Sequence, residues 1–181
     1  MNYSIKPEEH ELKTARRIIE NCLKTCQAIE EKNESFEVVL GGKSRGNFEE
    51  KGAFGEAWNE NLIRIYFNSD HGDTWKEDLR TITSYSYGES LFLEKSDSKF
   101  HWQELLKKSY ALMFLKQTGF EPNEIDRDKA RDEWQEFDEE SSISWSLAHF
   151  IGERLLEGRN LNEIPTLKKS DVLKAGDKVF S

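Results

Sequence analysis

Cysteine is scarce in this sequence, because the 181 residues include only Cys22 and Cys26. The two lie four residues apart in a predicted helix, so a disulfide between them would close a very small loop and distort that helix. Two thiolates alone are also too few for a zinc site, which needs three or four protein ligands. We therefore expect two reduced thiols, which suits the cytoplasm.

Long apolar runs and an excess of positive charge are also missing. No stretch approaches the roughly 18 apolar residues that a membrane helix needs, and 1-MNYSIKPEEHELK-13 lacks the apolar core of a signal peptide. We expect no membrane association. The formal net charge is −9, which disfavours nucleic-acid binding because that function needs a basic surface. Basic proteins remain plausible partners.

Familiar catalytic motifs are absent. The chain has no HExxH, CxxC, P-loop or GxSxG, which weighs against ordinary zinc, redox, nucleotide and hydrolase sites. His149 and Glu153 are four residues apart on one predicted helix, and a helix-surface pair is favoured there over a metal site. A metal-dependent hydrolase with non-standard ligands would have to draw on a small set of side chains: His71, Glu89, His101, His149 and Glu153.

The periodicity of apolar residues predicts a helix-rich α+β protein with a small, mostly antiparallel sheet, formed by residues 1–181 as a single domain. In the strand 62-LIRIYFN-68, alternation assigns Ile63, Ile65 and Phe67 to the core. The predicted helices are 7–32, 74–95, 101–119, 142–158 and 168–179, and the other predicted strands are 36–40 and an edge strand within 52–61.

The segment 121-EPNEIDRDKARDEWQEFDEE-140 has ten acidic and three basic residues, a net charge of −7 within a chain of −9. It predicts a helical insertion or a solvated surface face. A docking surface for a partner is the alternative. If its carboxylates formed one extended stripe, the protein could instead be an acidic inhibitor or a nucleic-acid mimic.

Polar residues interrupt the apolar stripe of the 74–95 helix. Ser86 and Glu89 fall on the line of that stripe, and buried polar groups need hydrogen bonds or a cleft. We expect the Glu89 side chain to reach solvent. No base lies near Ser84 or Ser86 in the sequence to activate a serine, so we expect Tyr85 and Tyr87 to pack and donate hydrogen bonds.

Three stretches, taken in order, resemble the YjaZ-like predicted zinc-dependent proteases, which are similar to small gluzincins. The first, 52-GAFGEAWNENLIRIYFN-68, resembles that family's glycine-rich lead into a strand. The second, 75-WKEDLRTITSYSYGESLFLEK-95, occupies the place of its HExxH helix. The third, 145-WSLAHFIGERLLEGRNLNEIPTLKKSDVL-173, resembles its C-terminal pattern. The resemblance implies a minigluzincin-like fold.

The same resemblance implies a fold without the family's chemistry. Its HExxH residues would fall at Ser84, Tyr85 and Gly88, and its downstream glutamate near Lys108, so no zinc ligand is present and no cofactor is expected. We expect a catalytically silent protease-like protein that binds a protein or peptide. Four side chains are candidates to line the cleft between the 74–95 and 101–118 helices: Tyr85, Tyr87, Glu89 and Lys108.

Overall fold

The computed structural model describes residues 7–32, 35–42, 52–122, 125–138 and 142–181. The chain forms two compact units, Met1–Ser90 (unit 1) and Leu91–Ser181 (unit 2). Helices dominate, and one small sheet accompanies them, so the predicted α+β class is confirmed. The single-domain prediction stays a prediction.

Unit 1 has a helix, a three-stranded sheet and most of a second helix. In chain order the elements are α1 (Glu9–Ile29), β1 (Glu37–Gly42), β2 (Ala53–Asn59), β3 (Leu62–Phe67), a 3-10 turn (Gly72–Thr74) and α2 (Trp75–Lys95), which continues into unit 2. Strand β3 is central, antiparallel to β2 and parallel to β1. The sheet is therefore mixed, and the prediction of a mostly antiparallel sheet was wrong in this detail. A two-residue turn forces β2 and β3 to be antiparallel, whereas nothing local sets the direction of β1.

The core of unit 1 lies on one face of this sheet. Ile63, Ile65 and Phe67 of β3 are almost completely buried, as their alternation predicts. Helix α1 contributes a stripe of buried residues at helical spacing, including Ile18 and Cys22. The helix ends at Ile29 rather than at residue 32, and the next residue's carbonyl accepts a hydrogen bond from the Tyr87 hydroxyl at 2.9 Å.

Unit 2 is helical. It contains the end of α2, then α3 (His101–Gln117), α4 (Arg127–Gln135), α5 (Trp145–Leu156), a 3-10 turn (Leu161–Thr166) and α6 (Lys169–Phe180). Helix α5 packs closely on α3, since a Cβ added to Gly152 would lie 3.1 Å from Met113 Cγ and 3.1 Å from the Ser109 carbonyl oxygen. Among the described residues, no helix is long and apolar enough to cross a membrane.

The acidic segment 121–140 is only partly helical, because α4 covers nine residues of it. Asp126 caps α4 by accepting hydrogen bonds from the backbone N–H groups of Asp128 and Lys129. The remaining described residues of the segment are not helical, and residues 123, 124, 139 and 140 lie outside the described part of the chain. Ala130 is buried and anchors α4 in unit 2.

Candidate functional site

The three positions that the resemblance assigns to the HExxH residues are buried and carry other side chains. Ser84, where the first histidine would lie, accepts a hydrogen bond from Cys26 Sγ at 3.6 Å and donates one to Cys22 Sγ at 4.0 Å. Tyr85 and Gly88 are also buried. This part of α2 therefore packs a serine against two thiols of α1.

Burial raises the pKa of both thiols, and that of Cys26 to about 12. The thiolate is disfavoured because a charge is poorly solvated in this apolar setting. Both cysteines are free thiols. Cys26 therefore behaves as a small apolar side chain with a weak S–H donor.

Three of the four predicted cleft residues are buried side chains of unit 1, and the fourth belongs to unit 2. Tyr87 donates to the Glu30 carbonyl, as expected for a packed tyrosine. Glu89 is only 4% exposed, and its Oε2 accepts a hydrogen bond from the Ala57 N–H at 3.0 Å. The prediction that Glu89 reaches solvent was therefore wrong. In unit 2, Lys108 donates to the Ile143 carbonyl at 3.0 Å. That these four line one cleft stays a prediction.

The burial of Glu89 is explained by a hydrogen bond from a backbone N–H of β2, that of Ala57. The pairing of β2 with β3 shifts register between Ala57 and Asn59, and a bulge of this kind leaves a backbone group without a partner in the ladder. The carboxylate accepts the Ala57 N–H at that place. This hydrogen bond gives the Ala57 N–H a partner, and a buried N–H without one would cost free energy.

The histidine candidates for a metal site do not assemble one. His149 Nε2 lies 3.4 Å from Glu153 Oε1, so the predicted pair forms, but Lys116 Nζ lies 2.7 Å from the same oxygen. An ammonium group already neutralises the carboxylate there. Burial is the main cause of a lowered His149 pKa, against the smaller opposing effect of Glu153.

The two remaining histidines have other neighbours. His71 Nδ1 is 3.2 Å from Thr74 Oγ1 in unit 1, and the His101 ring lies 5.0 Å from the Phe137 ring in unit 2. Across the described ranges, no three or more His, Cys, Asp or Glu side chains are arranged to hold a metal ion.

The acidic segment does not show a stripe of one sign in its described part. Asp126, Asp128 and Asp132 are exposed, but exposed basic residues lie among them on α4. Arg131 forms an ion pair with Asp128 at 3.1 Å. The carboxylate of Glu133 accepts the Ser144 hydroxyl hydrogen at 2.6 Å, so it supports the start of α5.

The outer face of the sheet in unit 1 carries large exposed side chains. In strand β2 the small residues are buried and the large aromatic residues are exposed, which is the reverse of the usual pattern. The buried positions are Ala53, Gly55 and Ala57, whereas Phe54 and Trp58 point outward. Phe54 is 46% exposed and Trp58 is 59% exposed. Small residues face inward because α2 approaches closely: a Cβ on Gly55 would lie 2.9 Å from Ser86 Oγ.

Neighbouring strands extend this aromatic surface. Tyr66 of β3 is the register partner of both Phe54 and Gly41, and its ring lies directly over Gly41. On β1, Val39 is 43% exposed and pairs in register with Arg64. We call this surface the outer sheet face, and it comprises Val39, Phe54, Glu56, Trp58, Arg64 and Tyr66.

Arg64 fixes the orientation of Trp58. The guanidinium carbon of Arg64 lies 3.9 Å from the centroid of the indole ring, which is the stacked geometry of a cation–π contact. The contact holds a large exposed ring against the sheet. A ring that is already ordered loses little conformational freedom when a partner covers it.

The outer sheet face was not among the sequence-predicted sites, although the sequence contains a clue to it. In 53-AFGEAW-58, small residues alternate with larger ones. The isoleucines of β3 mark the buried face of the sheet. If the small residues of the adjacent β2 lie on that same face, its large residues must lie on the opposite one. Predicting this surface required the strand register, which two short strands do not specify by themselves.

Comparison of the chain with protein-family models, with curated proteins and with solved structures found no significant match. The resemblance to the YjaZ-like proteases therefore stays a prediction.

Proposed function

We propose that the chain is a protein-binding protein and that its outer sheet face receives an apolar segment of another protein. Exposure of Phe54 and Trp58 on one face, beside Tyr66 and Arg64, is the observation that carries the proposal. Tyr, Trp, Phe and Arg are enriched in the cores of protein interfaces and among the residues that dominate binding energy.

A protease-like frame without catalytic ligands agrees with this proposal. The places of the zinc ligands are occupied by buried Ser84, Tyr85 and Gly88, and binding requires none of them to react. We keep the silent protease-like protein of the YjaZ-like type as the proposed ancestry of the fold. The binding surface, however, is the outer sheet face and not the positions of the lost ligands.

The exposed rings offer enough area for a measurable contribution. An aromatic side chain buries about 150–250 Å² in total, and Phe54 and Trp58 are each about half exposed. Covering the remaining area of one ring would contribute on the order of 2 kcal/mol at about 25 cal/mol per Å². We therefore expect removal of either ring to weaken binding by at least about tenfold.

The test begins with a display library of random dodecapeptides, selected against the wild-type protein. Dissociation constants of the selected peptides are then measured for the wild type, the double variant Phe54→Ala/Trp58→Ala, and Phe100→Ala. Phe100 is a matched control, since it is 59% exposed like Trp58 but lies in unit 2. We expect the double variant to bind at least about tenfold more weakly and Phe100→Ala to bind like the wild type.

Two outcomes would contradict the proposal. Equal affinity of the selected peptides for the wild type and the double variant would place their site elsewhere. A wild-type dimer that dissociates in the double variant, measured by sedimentation equilibrium, would make a second copy of this chain the occupant instead of another protein.

The proposed absence of zinc-dependent catalysis is tested by measuring the zinc content of the protein. Elemental mass spectrometry of untagged protein, expressed in zinc-supplemented medium, should find far less than one zinc per chain. Stoichiometric zinc together with metal-dependent peptidase activity would show that the protein is an enzyme with ligands of a different kind.

A further inference from the structure

A cleft of about 250 Å³ lies in unit 2, where the C-terminal end of α5 and the segment after it meet α6. Four basic side chains line it: Arg154 and Arg159 from the α5 side, and Lys174 and Lys178 from α6. The carboxylates of Glu157 and Asp171 also line the cleft. Its formal charge is therefore positive, within a chain whose net charge is −9.

The two arginines make contacts that stabilise the C-terminal end of α5. Arg154 forms an ion pair with Glu157, and Arg159 donates from Nη1 to the Leu155 carbonyl at 3.0 Å. Cations at this end of a helix complement the partial negative charge of its last carbonyl groups. These contacts explain why basic residues follow α5 and hold both guanidinium groups in place.

The two lysines have no comparable partner. Lys174 and Lys178 lie one turn apart on α6, both are exposed, and within the described ranges neither forms an ion pair or a hydrogen bond. Like charges four residues apart on a helix repel one another. The protein therefore places two ammonium groups beside two guanidinium groups, and the two carboxylates of the cleft neutralise only part of this charge.

The acidic residues of the cleft are already engaged. Asp171 accepts the backbone N–H of Lys168 at 2.9 Å, at the start of α6. The hydrogen bond from Arg154 is the main cause of a lowered Glu157 pKa, and Lys178 contributes to it. Glu157 is therefore ionised at neutral pH, and the cleft still carries two more positive than negative side chains.

We infer that this cleft binds a small ligand that bears a phosphate group. A phosphate dianion matches the excess of two positive charges. Guanidinium forks donate paired hydrogen bonds to phosphate oxygens, and lysines add point charges. A volume of about 250 Å³ lies just below the roughly 300–1,000 Å³ of typical ligand pockets, which favours a compact phosphate ester over a large cofactor. This inference does not depend on the outer sheet face.

Inorganic pyrophosphate is the probe, titrated calorimetrically into the full chain in metal-free buffer at physiological ionic strength. The test variant is Lys174→Gln/Lys178→Gln. The control Lys168→Gln/Lys169→Gln removes the same charge from the same end of the chain but leaves the cleft residues unchanged. We expect saturable binding by the wild type, at least about tenfold weaker binding by the test variant, and a change below about threefold in the control.

Each alternative result would overturn the inference. Equal weakening in both double variants would show general electrostatic attraction with no site in the cleft. No saturable binding of pyrophosphate by the wild type would remove the site altogether. Tighter binding of citrate than of pyrophosphate would replace the phosphate assignment by a carboxylate ligand. Circular dichroism of each variant establishes that the helices are intact, so a loss of binding reports on the cleft.

Discussion

Substitution of Gly176 by alanine should destabilise unit 2, although alanine is the better helix former. Gly176 is buried in the interior of α6, directly beneath the indole of Trp134 from α4. A Cβ at this position would lie 2.0 Å from Trp134 Cζ2 and 2.2 Å from Cε2. Ordinary contacts between carbon atoms are about 3.5–4.0 Å long, so the indole has to move.

Two opposing free energies decide the sign. Replacing glycine by alanine inside a helix stabilises by about 1 kcal/mol, whereas forcing an extra carbon into a packed site costs about 1–3 kcal/mol. Moving the ring also disturbs its stacking on Phe137, whose centroid is 5.2 Å away, and such pairs contribute about 0.5–1.5 kcal/mol. We expect Gly176→Ala to lower the free energy of unfolding by about 1–3 kcal/mol.

A double-mutant cycle tests the mechanism. In a Trp134→Ala background the clash is gone, so the same Gly176→Ala change should stabilise by up to about 1 kcal/mol. The effect of the substitution therefore reverses its sign between the two backgrounds, which corresponds to a coupling of about 1–4 kcal/mol. Urea unfolding followed by far-UV circular dichroism measures all four variants. A similar destabilisation in both backgrounds would refute the packing argument.

Three further predictions follow from the interiors of the two units. Glu89→Ala should lower the free energy of unfolding by about 1–3 kcal/mol, because it leaves the Ala57 N–H without its side-chain acceptor. A loss below about 0.5 kcal/mol in urea unfolding would mean that water replaces that acceptor. Burial raises the pKa of the Cys26 thiol to about 12. This thiol should therefore resist Ellman's reagent at pH 8 in the folded protein and react rapidly in guanidinium. Fast reaction of two thiols per folded chain would contradict this burial. The pKa of His149 is lowered in the folded state, mainly by burial. Between that lowered pKa and about 6.5, the His149 imidazole is more often protonated in the unfolded chain than in the folded chain. The stability contributed by neutral His149 is therefore lost as the pH falls through this range. Stability measured from pH 8 to pH 5 should decrease less in His149→Gln than in the wild type, and identical pH profiles would show that His149 contributes nothing.

Local periodicity was sufficient to predict most of the elements. The buried stripe of α1 and the inward face of β3 both appear where the spacing of apolar residues places them. Gly119 and Gly158 follow the ends of α3 and α5, with φ angles of 85° and 72° that favour glycine. These features depend on neighbours within one or two turns or one strand, so the sequence carries the information directly.

The errors concern contacts between residues that are distant in the chain. The direction of β1 relative to β3 depends on which strand becomes central, and the short apolar run in β1 fits either direction. The burial of Glu89 depends on a free N–H at a bulge 32 residues earlier. For the acidic segment 121–140 the sequence allowed a helical insertion or a solvated surface face, and among its described residues Arg127–Gln135 forms a helix. Few of those residues are buried, so packing gives the rest of the described segment little support for a helix.

The sequence by itself determined the composition of the two candidate surfaces but not their existence. It placed large side chains at alternate positions of β2 and basic residues in and after the last turn of α5 and along α6. Only the tertiary structure decided that Phe54 and Trp58 share an exposed face with Arg64, and that Lys174 and Lys178 face the end of α5. The physical reason is that periodicity fixes which side of an element a residue occupies, whereas packing decides what that side meets.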